Sequence, residues 1–107
     1  MGKGNSMNDY KKLNIQIAKH YGYDNQSNQL IEECAELIQA INKHKRIMSG
    51  EISKEKYSDA IENIIEEIAD VEIMIDQIKY LLSINPMYVD GVKKQKIMRE
   101  MKRIEVR

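Results

Sequence analysis

A chain of 107 residues in which 17 basic and 17 acidic side chains cancel has the size of one domain with a single core. It carries no overall field that would draw it to nucleic acid or to an anionic membrane. No apolar run approaches the ~20 residues of a transmembrane span, and the single cysteine, Cys34, has no partner for an internal disulfide, which suits a reducing cytoplasm. Neither nucleic acid nor membrane is expected as a partner, the expected location is cytoplasmic, and any electrostatic function has to be local.

The first residues, MGKGNS, satisfy the spacing of an N-myristoylation pattern through Gly2 and Ser6. The plainer reading is a disordered or added leader over residues 1–7, followed by a single helical domain over residues 8–107. Asn8 or Asp9 is placed to cap a first helix reaching about His20, with Leu13 and Ile17 one turn apart and Gly22 beyond its end. A second helix runs from about Ser27 to about Met48, with Lys43, Lys45 and Arg46 in its last turns and Gly50 after it. Cys34 lies beside Ile38 and Ile41 on the apolar arc of that helix and reads as a small core residue.

A third helix begins between Ser53 and Asp59 and continues to about Ser83. Its stripe of Ile61, Ile64, Ile68, Val71, Ile75, Ile78 and Leu82 keeps the helical period. Asn85-Pro86 opens a fourth, with proline at the first helical position, and that helix is expected to turn Val89, Ile97, Met101 and Ile104 inward. No segment shows sustained strand alternation. Four amphipathic helices with short links predict an all-α fold, an antiparallel four-helix bundle. Ile31, Ile65 and Ile73 fall outside the main arcs, and the surplus of apolar surface predicts a homo-oligomer, homodimer or homotetramer.

One pattern is written twice. Leu30 to Ile41 reads LIEECAELIQAI, and thirty-four positions later Ile64 to Ile75 reads IIEEIADVEIMI. At about 100° per residue, Glu33 and Glu36 project beside the arc of Leu30, Cys34, Leu37, Ile38 and Ile41. Glu67 and Asp70 likewise flank Ile64, Ile68, Val71 and Ile75. Packing the two helices through their stripes gathers four carboxylates on one edge. Like charges three or four apart cost a helix a few tenths of a kcal/mol per pair, and more once they are partly desolvated. A divalent cation relieves that repulsion, and an all-oxygen set favours Mg²⁺ or Mn²⁺. A single E-E-x-x-E usually marks a solvated face; two copies at matched phase beside a core stripe favour a metal site.

On the last helix Lys96, Arg99 and Arg103 share one narrow arc beside Ile97, Met101 and Ile104. Such an edge can hold phosphate oxygens, form salt bridges to the acidic helices, or remain a solvated surface.

EECAE followed by EEIAD resembles the E-E-x-x-E … E-x-x-D signature of the MazG-like all-α nucleotide pyrophosphohydrolases, related to dimeric dUTPases and phosphoribosyl-ATP pyrophosphatases. The resemblance spans about Leu30 to Arg103. It implies an oligomeric helical bundle that binds Mg²⁺ and splits a nucleoside triphosphate, (d)NTP, into (d)NMP and pyrophosphate, a nucleotide-pool house-cleaning activity. On that analogy Glu33, Glu36, Glu67 and Asp70 are the metal ligands. Members often carry N-x-K-x-x-R on the last helix; here KQKIMR supplies Lys96 and Arg99, while Lys94 stands in place of the asparagine. Glu32 or Glu66, each next to a ligand, is placed to orient or deprotonate the attacking water, or is simply an exposed helix acid. A carboxylate-bridged redox bundle would want Glu-x-x-His, and neither His20 nor His44 has a glutamate three residues before it. A non-enzymatic helical interaction module is the remaining alternative.

Overall fold

Ser6 starts the first helix, ahead of the expected caps. Its Oγ accepts from the Asp9 N–H at 3.3 Å, while the Asp9 carboxylate accepts from the Ser6 N–H at 3.0 Å, a reciprocal capping box. Asp9 therefore serves as the third residue of the first turn, and Met7 belongs to the helix. The computed structural model describes residues 6–106; Gly2 and the rest of the expected leader up to residue 5 lie outside them. The described chain is all-helical: α1 (Met7–Met48), a single 3-10 turn (Lys54–Lys56), α2 (Tyr57–Leu81) and α3 (Pro86–Val106).

α1 is two limbs joined at Gly22, whose φ of 83° and ψ of 172° break the helix. A side chain is strongly disfavoured in that region, which glycine occupies freely. The limbs, residues 7–21 and 23–48, are the two helices expected from the sequence, the second starting earlier than Ser27. Asn25 Nδ2 donates to the Tyr21 carbonyl at 2.8 Å and so satisfies an acceptor freed by the bend. The bend is sharp. Asn14 Oδ1 and Gln26 Nε2 both bond the Gln77 side chain, each at 2.8 Å, although a straight helix would hold these two residues about 18 Å apart. At the other end of the chain, Asn85 Oδ1 accepts from the Met87 N–H at 2.9 Å, with Pro86 opening α3 as expected.

The second limb of α1 runs antiparallel to α2. Gln26 meets Gln77 and the His44 ring lies 5.6 Å from that of Tyr57. The contact line follows a seven-residue spacing, with Gln26, Glu33, Ala40 and Ile47 on α1 facing Ala60, Glu67, Met74 and Leu81 on α2; each is buried or half-buried. A seven-residue spacing of this kind is the one that packs antiparallel helices along a shared seam. The buried apolar core consists of Ala18, Ala40, Ile47, Ala60, Val71 and Met74.

Several residues expected inside are outside. Cys34, Ile38 and Ile41 on α1 are exposed, as are Ile68 and Ile75 on α2 and Leu82 just past its end. On α3, Ile97, Met101 and Ile104 are exposed and only Val89 is half-buried. The reason is geometric. The broad arc of each hairpin helix is two adjacent stripes, and one chain covers only one of them. α3 stands away from the hairpin, and the radius of gyration of 17.8 Å exceeds the ~13 Å of a compact chain this long. No helix among the described residues is long and apolar enough to cross a membrane.

Candidate metal centre

Glu33 occupies the packing line of α1, seven residues after Gln26 and seven before Ala40, and so points at α2 instead of water. Glu67 holds the matching place between Ala60 and Met74, and Asp70 follows one turn later. One carboxylate oxygen from each of Glu33, Glu67 and Asp70 lies within 4.8 Å of the other two, and all three residues are half-buried. The hairpin register thus gathers three of the four acids that the sequence pattern picked out.

The fourth, Glu36, is exposed and lies outside this cluster. Its position one turn past Glu33 leaves the line between the helices and borders solvent. Glu32 and Glu66 are exposed as well. Glu32 lines an open polar cleft of about 530 Å³ together with Tyr21, Asn25, Gln26, Asn28 and Gln29. Lys94, Lys96, Arg99 and Arg103 are all exposed on α3. Arg103 bonds its own neighbour Glu100 at 3.0 Å, and among the described residues no ion pair joins Lys96 or Arg99 to the acids.

The electrostatics of the cluster are strained. Glu33 Oε1 accepts from Gln29 Nε2 at 2.7 Å, but Glu33 Oε2 and Glu67 Oε2 are buried without any hydrogen-bond partner. Partial burial, then the neighbouring Glu33 charge, push the Asp70 carboxyl above its ordinary range. A buried carboxylate oxygen with nothing to bond costs on the order of 1–3 kcal/mol or more. Protonation relieves part of that cost and a bound cation relieves more. The donor set fits a hard divalent cation: all oxygen, supplied by three carboxylates, with two of the atoms unengaged.

Sequence reasoning missed the amides around the acids. Gln77 Nε2 donates to Asn14 Oδ1 at 2.8 Å, Gln26 Nε2 donates to Gln77 Oε1 at 2.8 Å, and Asn14 Nδ2 donates to the Ile73 carbonyl at 3.1 Å. This ladder ties the first limb to the hairpin one heptad from the acids. The signal was available in the spacing, since Gln26 precedes Glu33 by seven residues and Gln77 follows Asp70 by seven. Comparison of the chain with protein-family models, with curated proteins and with solved structures found no match.

Proposed function

We propose that this chain is a divalent-metal-dependent nucleoside triphosphate pyrophosphohydrolase of MazG-like type. It splits a (d)NTP into (d)NMP and pyrophosphate, in the cytoplasm, as nucleotide-pool house-cleaning. The observation that carries the reading is the pair of buried, unpartnered oxygens, Glu33 Oε2 and Glu67 Oε2, converging with Asp70. The ordered acidic repeat in the sequence supports it from a separate direction.

Glu33, Glu67 and Asp70 would hold Mg²⁺ or Mn²⁺, with Glu36 acting from the rim. Bound there, the ion would neutralise phosphate charge and polarise water for attack at the α-phosphate. Gln29 fixes the Glu33 carboxylate through one oxygen and leaves the other free. Glu32, which lines the polar cleft, would take the proton of the attacking water, with Glu66 as its counterpart on α2. Lys96 and Arg99, flanked by Lys94 and Arg103, bind the phosphate oxygens of the leaving pyrophosphate. Because α3 stands away from the acids in a single chain, that role needs α3 to be brought against an acidic hairpin, as in a homodimer or homotetramer that closes the four-helix bundle.

A second reading, a non-enzymatic helical interaction module, draws on the exposed aliphatic surface of α1, α2 and α3. Incubation with a panel of ribo- and deoxyribonucleoside triphosphates in Mg²⁺ separates the two. Formation of monophosphate and pyrophosphate that stops in excess chelator supports the enzyme. Intact nucleotides across the panel leave the interaction module.

A further inference from the structure

Away from the acids the fold forms a larger hollow, a mostly apolar cavity of about 730 Å³. Three elements meet around it. The first limb of α1 gives Tyr10, Asn14 and Ile15, the end of α2 gives Ile73 and Tyr80, and the turn into α3 gives Ile84. It shares no residue with the acid cluster or with the polar cleft beside Glu32. Its size falls in the range of pockets that bury a small organic ligand, and apolar walls with a few polar groups are their usual make-up.

The chemistry of the walls narrows the ligand. Tyr10 and Tyr80 bring two aromatic rings to the cavity from different helices. Lys19 Nζ lies over the Tyr80 ring, 5.8 Å from its centroid, and Lys19 is not part of the wall. One face of that ring is therefore engaged by a cation, which leaves the other for a ligand ring. The charges of the wall cancel, Lys11 and Lys79 against Asp76 and Asp90, and Lys79 is paired with Asp76 at 3.7 Å. Such a wall has no surplus of either sign to offset a multiply charged ligand, which sets it apart from a subsite for a triphosphate.

The walls are also held in place. Asn14 Nδ2 donates to the Ile73 carbonyl at 3.1 Å and Asn14 Oδ1 accepts from Gln77 at 2.8 Å, so the first limb is tied to α2 at the cavity. At the other edge the Ser83 N–H donates to the Tyr80 carbonyl at 3.1 Å and the Ile84 N–H to the Lys79 carbonyl at 2.8 Å. This pair of bonds is the helix stop that ordinarily uses glycine. Here Ser83, itself part of the wall, takes the left-handed conformation with φ 54°.

We propose that this cavity binds a small planar aromatic molecule without net charge, and that its occupancy holds the first limb of α1 folded back on the hairpin. The second part follows by linkage. The walls come together only with the limb docked, so a ligand between them stabilises the docked form over any open one. The site uses neither metal nor phosphate, and it stands or falls independently of the hydrolase reading.

Indole, planar and uncharged, is the probe, titrated into the full chain in excess chelator and followed by amide nuclear magnetic resonance. Saturable shifts should map to residues 7–15 and 73–90, and hydrogen exchange of the first-limb amides should slow as indole is added. Tyr80→Ala should weaken binding about tenfold or more, through loss of a ring contact and its buried area. Ile73→Trp fills the cavity with an indole group of the chain's own and should abolish binding. Circular dichroism shows whether each variant keeps its helices; if Tyr80→Ala does not fold, Ile73→Trp decides, since Ile73 is exposed and outside the core. No saturable shift at millimolar indole, shifts spread over the exposed isoleucines of the hairpin, first-limb exchange unmoved at saturation, or undiminished binding to the Ile73→Trp variant would each overturn the proposal. Metal-free ATP moving the same amides as strongly as indole would overturn it as well.

Discussion

Glu67→Gln is expected to make the metal-free chain more stable while removing its response to metal. The three acid oxygens lie within 4.8 Å of one another, where two unit charges repel by about 1 kcal/mol in bulk water and about 3.5 kcal/mol at an effective dielectric near 20. Solvent reaches these half-buried groups, so the lower part of that range applies. Removing the Glu67 charge also gives its buried side-chain position an amide that can donate to Glu33 or Asp70. A net gain of about 1–2 kcal/mol follows, and each kcal/mol raises the melting temperature of a domain this size by about 4–8 °C. The assay is thermal unfolding followed by circular dichroism at neutral pH, in chelator and then in millimolar Mg²⁺. The wild type should gain stability from the metal and the variant should not, while hydrolysis is lost. A variant that melts below the wild type in chelator, or that is stabilised equally by Mg²⁺, would refute the reasoning about the cluster.

Acid titration offers an independent check. Because the folded chain raises the Asp70 carboxyl above its ordinary 3.8, it holds a proton that the unfolded chain releases. The associated stability is fully present below 3.8 and is lost as pH rises through the raised value; Asp70→Asn should flatten that part of the metal-free melting profile. Gly22→Ala places a side chain at φ 83° and ψ 172° and should cost about 1–3 kcal/mol in denaturant unfolding. In the amide ladder, Gln77→Leu alone strands Gln26 and should destabilise by about 1–3 kcal/mol. Replacing both Gln26 and Gln77 with leucine should recover the part due to Gln26 but not the part due to Asn14 Oδ1, which loses its Gln77 donor in both variants, as a double-mutant cycle would show. Arg99→Ala should lower kcat/KM about tenfold to a hundredfold, the loss of one charge-assisted phosphate contact, with calorimetric metal affinity unchanged. A parallel loss of metal binding would instead make Arg99 a structural partner of the acids.

The four helical segments, their turns at Gly22 and Gly50, and the entry at Asn85-Pro86 were legible because local chemistry decides them. Glycine with positive φ, a capping side chain and a proline with no N–H act within a few residues. The core was less legible. On α1 the expected arc ran through Cys34, Ile38 and Ile41, and on α2 through Ile68 and Ile75 to Leu82 just past its end; these are exposed, while Glu33 and Glu67 sit on the buried line. Periodicity averages two adjacent stripes into one broad arc, and only the partner helix determines which stripe is covered. The same ambiguity affected the site. Glu33, Glu67 and Asp70 come together as expected, whereas Glu36, one turn from Glu33, falls outside the cluster because its angle relative to α2 was unspecified. The basic residues of α3 were correctly placed on a helix, but amphipathicity says nothing of the distance from that helix to the acids.

Direct binding of Mn²⁺, followed as the loss of the free-ion signal in electron paramagnetic resonance, tests the acid cluster most closely because it needs neither substrate nor turnover. The wild type should bind saturably at neutral pH and compete with Mg²⁺. Glu33→Gln, Glu67→Gln and Asp70→Asn should each lose that binding by an order of magnitude or more, and Glu36→Gln should retain most of it. Absence of saturable binding in the folded wild type, or binding that survives all three substitutions at the cluster, would contradict the account.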